Sequence, residues 1–203
     1  MKNIFPDMVS AVDLKITQAV LVKAETGSYL TEVSLWECEK GNWRIVDGPM
    51  PATIGRNGLV SPERKKEGDG CTPTGVYPLG MVFGSRPVLA INMPYRQTTG
   101  EDFWVDDPAS PDYNHWVCRR PQDGSYESML RADGLYRYGV VVEYNTAPVI
   151  SGKGSAIFIH LWRASGVPTR GCIAMAEEDL VKLIAWLDPV NWPVIAIPDI
   201  NNQ

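Results

Sequence analysis

Two residues able to do thiol chemistry meet in one short stretch of the chain. Ser155-Ala156-Ile157-Phe158-Ile159-His160 is an apolar run that ends in one of only two histidines, and Pro168-Thr169-Arg170-Gly171-Cys172-Ile173 follows after a short loop. Cysteine is a strong nucleophile as thiolate, and a histidine beside it can hold the proton. A glycine just before the cysteine permits a sharp turn that aims the amides of Gly171 and Cys172 at a developing oxyanion. The chemistry implied is acyl transfer, with Cys172 as nucleophile and His160 as general base and then acid. Each residue alone also has a plainer reading, since cysteine beside isoleucine and histidine at a strand end are common in cores. The rest of the chain has to decide.

The elements that must position these groups are mostly strands. Residues 14–24 and 29–38 are β-rich, with turn chemistry in Glu25-Thr26-Gly27-Ser28, and predict a first hairpin. Trp43 to Val46 continues that sheet, Asp47-Gly48-Pro49 punctuates it, and residues 51–55 predict another short strand. Residues 57–70 read as a polar loop, with Arg64-Lys65-Lys66 as a solvated basic cluster. Val140-Val141-Val142-Glu143-Tyr144 and Ala156-Ile157-Phe158-Ile159 are near-continuous apolar runs, as in strands buried on both faces. Over 177–187, Leu180, Leu183, Ile184 and Leu187 fall on one helical face, with Glu177, Glu178 and Asp179 favourable at the N-terminus. A last strand over 192–198 closes the chain. Residues 94–139 are rich in Pro, Asp, Gly and aromatics and read as a long functional insertion, with a short helix over 127–135. The fold expected is mostly β, a sandwich or mixed sheets, with one clear helix, in a single domain spanning 1–203.

Composition removes several function classes. Lysine and arginine number 19 against 24 acidic residues, net charge −5, which argues against nonspecific nucleic-acid binding. Cys38, Cys71, Cys118 and Cys172 contain no Cys-x-x-Cys pair, and with only His115 and His160 beside them a structural zinc site is poorly supported. If Cys172 is free, at most one disulfide can form among the other three. No apolar run is long enough for a transmembrane helix, and the first seven residues carry a lysine with no following apolar stretch of signal-peptide length.

Around Cys172 the sequence resembles the active-site signature of the L,D-transpeptidases, the YkuD-like catalytic domain: a histidine followed at a distance by Ser/Thr-x-Gly-Cys-Ile/Val. Upstream, Thr72-Pro73-Thr74-Gly75-Val76-Tyr77 resembles that family's Thr-Pro-x-Gly strand opening. Trp104-Val105-Asp106-Asp107-Pro108 and Tyr113-Asn114 resemble a single-domain proteobacterial branch. The likeness runs in order over about residues 15–198. It departs at Leu161, where most members have glycine, and at Ala174, where most have arginine or asparagine.

The resemblance implies a peptidoglycan L,D-transpeptidase. Its donor would be a stem peptide cut on the carbonyl side of its diamino acid, and its acceptor another stem's amine. No cofactor or metal is required, and the place of work would be the periplasm or envelope. It also implies that the backbone carbonyl of Leu161 orients His160. Arg170 or Arg163 is expected to supply the positive charge missing at Ala174. Thr169 either caps the local backbone or touches substrate. Tyr144 and Asn145, at the end of a strand, are candidates for the donor wall. Trp104, Tyr113 and Asn114 are candidates for lining the cleft, with Trp104 equally placed for the core. The segment over 94–139 is expected to control acceptor choice rather than acylation, with Trp104 and Tyr113 as the side chains that test it. Cys172 is expected to be the most reactive thiol, the other three being suppressed by burial. His115 has no nucleophile near it in sequence. Open alternatives are a carboxypeptidase or endopeptidase on the same scaffold, a silent wall-binding module, and a toxin-like effector delivered into other cells.

Overall fold

The computed structural model describes residues 8, 9, 12, 13, 15–25, 27–87 and 91–199. The leader reading of residues 1–7 and the hairpin residues Leu14 and Thr26 lie outside the described residues.

Alternating burial builds the first pair of strands. β1 (Gln18–Ala24) and β2 (Leu30–Glu39) run antiparallel, from Gln18 opposite Glu37 to Ala24 opposite Thr31. In β2, Val33 and Leu35 are buried while Leu30 and Glu32 face outward. β3 (Asn42–Thr53) then pairs along the whole of β2. The break expected at Asp47-Gly48-Pro49 and the separate strand over 51–55 are therefore one continuous strand. A register shift between Val33 and Trp36 absorbs the irregularity. Gly48 makes it possible: its φ is +105°, and a Cβ there would lie 2.8 Å from the Val33 carbonyl oxygen.

The remaining long-range pairings close this sheet on itself. β6 (Gly75–Gly84) lies antiparallel to β14 (Val194–Ile197), which runs parallel to β1. β6 also pairs antiparallel with β11 (Gly139–Val142). From there β12 (Phe158–Leu161) and β13 (Ile173–Met175) lead back to β3. A short strand inside the region read as a polar loop, β4 (Leu59–Val60), pairs parallel with β5 (Thr72–Pro73) just after it. The architecture is mostly β with mixed sheets and a single C-terminal helix, α1 (Glu177–Trp186). Leu180, Leu183, Ile184 and Leu187 are fully buried, as the helical spacing predicts.

Residues 94–139 hold more regular structure than their composition announces. β7 (Tyr95–Gln97) extends the main sheet along β6. β8 (Phe103–Val105), β9 (Trp116–Val117) and β10 (Tyr126–Ser128) form a separate three-stranded sheet. The helix expected over 127–135 is absent. Tyr126, Glu127 and Ser128 instead pair with Val105, Trp104 and Phe103.

Strands β11 and β12 separate two apolar clusters. Ile157, Ile159 and Leu161 face the main core with Leu180, Leu183 and Ile184. Ala156 and Phe158 face a second cluster with Phe83, Trp104, Met129, Tyr136 and Cys172. The two-residue period of a strand thus puts His160 on the Phe158 side, the side that carries the cysteine.

Candidate active site

β12 and β13 are adjacent and parallel, with His160 opposite Ala174 and Ile159 opposite Ile173. Cys172 immediately precedes β13 and lines the same cleft as Ala174 and His160, so cysteine and histidine face one space. Two residues of rise and one strand spacing separate their backbones by roughly 8 Å. That space is a cleft of about 500 Å³ lined by His160, Cys172, Ala174, Thr169 and Arg170 among others.

The turn before Cys172 is held from several sides. Gly171 has φ +153°, and a Cβ there would come within 3.1 Å of the Cys71 carbonyl oxygen and 3.2 Å of Ile157. The Thr72 hydroxyl, from the Thr-Pro-Thr-Gly segment, donates to the Gly171 carbonyl at 2.7 Å and accepts the Gly55 N–H at 2.9 Å, fully buried. Thr169 donates its hydroxyl to the Cys172 carbonyl at 2.6 Å and accepts the Gly171 N–H at 3.1 Å. Thr169 is therefore a backbone cap at the rim of the cleft. Its bond thus engages the N–H of Gly171, one of the two amides expected to serve the oxyanion. The Cys172 N–H has no such hydroxyl partner among the described residues.

His160 Nδ1 lies 2.7 Å from the Leu161 carbonyl oxygen. A carbonyl only accepts, so Nδ1 carries the hydrogen and Nε2 is left as the basic nitrogen. Burial holds the imidazole neutral, lowering its pKa to about 4 despite the raising effect of the Leu161 bond. Burial also pushes the Cys172 thiol up to about 12, and the nearby Glu127 charge adds to it. The sulfur accepts the Phe158 N–H at 3.4 Å, and the thiol donates to the Ala156 carbonyl at 3.1 Å. The resting pair is thus a thiol and a neutral imidazole. The thiols differ from the expectation in their burial: Cys118 is exposed, Cys38 and Cys71 are intermediate, and Cys172 is the buried one. All four are free.

Five residues assigned to substrate binding do not line the cleft; they build the wall behind the sulfur. Asn114 accepts the Trp104 indole N–H at 2.9 Å and the Ala156 N–H at 3.0 Å, and it donates to the carbonyls of Tyr144 and Asn145 at 3.1 and 2.8 Å. Trp104 is core, 5.0 Å from the Phe158 ring. Tyr144 gives its hydroxyl to the Lys153 carbonyl at 2.6 Å. Asn145 donates to Ile150 and Gly154, closing its own loop. Tyr113 donates to Glu67 at 2.5 Å, and Ser155 donates to the same oxygen at 2.8 Å. The basic cluster is corrected too: Lys65 is buried and paired with Asp69 at 2.7 Å. His115 is exposed, with Nδ1 2.8 Å from the Tyr113 carbonyl oxygen, and is not in the cleft.

Several cleft residues escaped sequence reasoning. Arg56, Glu127, Arg131, Tyr136 and Trp162 join the expected Arg163 and Arg170 around the opening. Tyr136 presents its ring edge-on to His160 at 5.3 Å and its hydroxyl to Glu127. Arg131 grips Asp133 through two nitrogens at 2.9 and 2.6 Å, and Arg163 reaches the same carboxylate at 3.2 Å. Those pairs hold Asp133 down at about 2. Arg56 and Arg170 make no ion pair among the described residues. No cluster of three or more His, Cys, Asp or Glu side chains suited to a metal ion occurs among the described residues.

Residues 22–195 match the YkuD L,D-transpeptidase catalytic domain. Among solved structures the chain is similar to the helical cell shape determining protein Pgp2 from Campylobacter jejuni, at 19% identity and a TM-score of 0.43. That match covers 90% of this chain and 48% of Pgp2, so the chain spans about half the length of that protein. No curated protein matches the chain. The YkuD family is in general one of cysteine-dependent transpeptidases, and the domain implies L,D-transpeptidase-type activity on peptidoglycan and an envelope location. No described helix is long and apolar enough to cross a membrane. With well over half of its length matched, the chain belongs to the YkuD L,D-transpeptidase catalytic domain family.

Proposed function

We propose that the protein is a crosslinking peptidoglycan L,D-transpeptidase that works through a thioester on Cys172. The observation that carries this reading is the meeting of His160, on β12, with Cys172, at the entry to the adjacent parallel strand β13, in one basic cleft. Donor binding draws the thiol proton away from Ala156 toward His160 Nε2, and the sulfur attacks the amide carbonyl. His160 then gives that proton to the leaving amine, and an acceptor amine releases the acyl group. Because both groups rest neutral, proton transfer accompanies attack. The Cys172 N–H supports the developing oxyanion. Arg56 and Arg170 stand ready for substrate carboxylates, in place of the basic residue absent at Ala174. The chain would act in the envelope as a single catalytic unit of the proteobacterial-type branch, with 94–139 as its insertion.

The test is mass spectrometry of purified muropeptides incubated with the protein. Crosslinked dimers, absent with Cys172→Ala, are the expected products. Trimmed monomers alone would replace this reading with a hydrolase, and no change of any kind would replace it with a binding module.

A further inference from the structure

The thioester mechanism gives no role to the carboxylate of the cleft. Glu127 is the one carboxylate among its lining side chains, set against four arginines. It comes from β10, on a different sheet from Cys172 and His160. Its side chain is 29% exposed. One oxygen accepts the Tyr136 hydroxyl. Arg131 stays 4.0 Å from that oxygen while spending its hydrogen bonds on Asp133. Tyr136 also touches the His160 ring, so the carboxylate is built into the same wall as the base. Burial raises its carboxyl above the ordinary range, which makes it a better proton acceptor than a solvated carboxylate.

The acceptor half of the reaction has a need that His160 alone does not meet. An alkylamine arrives at neutral pH as ammonium and must lose one proton before its nitrogen can attack. The amide product then requires loss of a second. Resting on the thioester reading, we infer that Glu127 is the acceptor-side base, binding the incoming ammonium and taking its surplus proton. An N–H bond of the ammonium breaks as the Glu127 O–H forms. The freed amine attacks the thioester carbonyl, and its second proton passes to His160 Nε2. The C–S bond breaks, His160 returns that proton to the Cys172 sulfur, and Glu127 releases its own to water. Tyr136 and Arg131 are positioning residues for the carboxylate.

The experiment loads Cys172 with a peptide acyl group and follows release by intact mass, with hydrolysis as the internal clock. Two acceptors are compared: Nα-acetyllysine, cationic at neutral pH, and hydroxylamine, which arrives uncharged. In Glu127→Gln, once the adduct has formed, capture by acetyllysine relative to water should fall at least about tenfold while capture by hydroxylamine holds. Glu127→Asp should recover part of the loss. If both amines keep wild-type capture, or fall together, Glu127 has no acceptor role while the thioester stands. Absence of any adduct on wild-type Cys172 overturns the thioester reading and this one with it. On the wild-type protein, Nε-trimethyllysine should compete with acetyllysine and spare hydroxylamine. Lack of competition overturns the proposal even if Glu127→Gln fails to fold.

Discussion

At Cys172 the surroundings oppose ionisation. The sulfur is buried, faces the Glu127 charge, and gives its proton to a backbone carbonyl. Burial raises the thiol and lowers the imidazole, which favours a neutral resting pair over a thiolate–imidazolium pair. Iodoacetamide at pH 7 should therefore label exposed Cys118 before Cys172. Labelling of Cys172 should climb about tenfold per pH unit from 7 to 9, following the thiolate fraction. A plateau below pH 7, read by peptide mapping, would mean an ion pair after all. Thr72 offers a second test at this scale. Thr72→Val strands the Gly55 N–H and removes the tie to the Gly171 carbonyl. Each buried group left unpaired costs about 1–3 kcal/mol. Acylation should slow and the urea midpoint should fall, with Thr72→Ser restoring both. Equal loss in Thr72→Ser would show that the methyl packing, not the hydroxyl, matters.

Among the elements, Trp104 marks where the role of the insertion changes. Its ring packs on Phe158, in the strand that carries His160, and its indole N–H is tied to Asn114. Trp104→Ala should cost about 3–5 kcal/mol of stability and depress acylation and release alike. A shift from crosslinked toward hydrolysed products at unchanged stability would return Trp104 to the acceptor site. What was legible here followed local periodicity. The apolar run up to His160 and the face made by Leu180, Leu183 and Ile184 are short-range patterns, and both formed as read. The helix read over 127–135 failed for the same reason: the pairing of Glu127 with Trp104 is long-range and leaves no local mark. Lys65 was misjudged because its burial depends on Asp69 closing the loop back over it. Arg163 and Arg170 lie in the loop that leads to Cys172 and were legible there, whereas Arg56 and Arg131 come from separate loops that no contiguous motif announces.

For the whole molecule, the two buried catalytic groups set limits on stability against pH. His160 has a folded pKa near 4 and an ordinary value of 6.5. The unfolded chain therefore takes up a proton first as pH falls. Stability is full above 6.5 and lost between 6.5 and 4, by about 3 kcal/mol. Cys172, raised from 9.0 to about 12, acts with the opposite sign. Its contribution is full below pH 9 and is lost as pH rises toward 12. Urea midpoints across this range should show acid loss in the wild type that His160→Gln lacks. Superimposable profiles would contradict the buried neutral imidazole.

The account stands on Cys172 carrying the acyl group with His160 as its base. The direct measurement is intact-mass analysis of the protein with a stem-peptide donor, followed by peptide mapping of the adduct. A thioester confined to Cys172 is predicted, absent in Cys172→Ala and slowed at least about a hundredfold in a folded His160→Ala. An adduct on another residue, or wild-type acylation in His160→Ala, would contradict it.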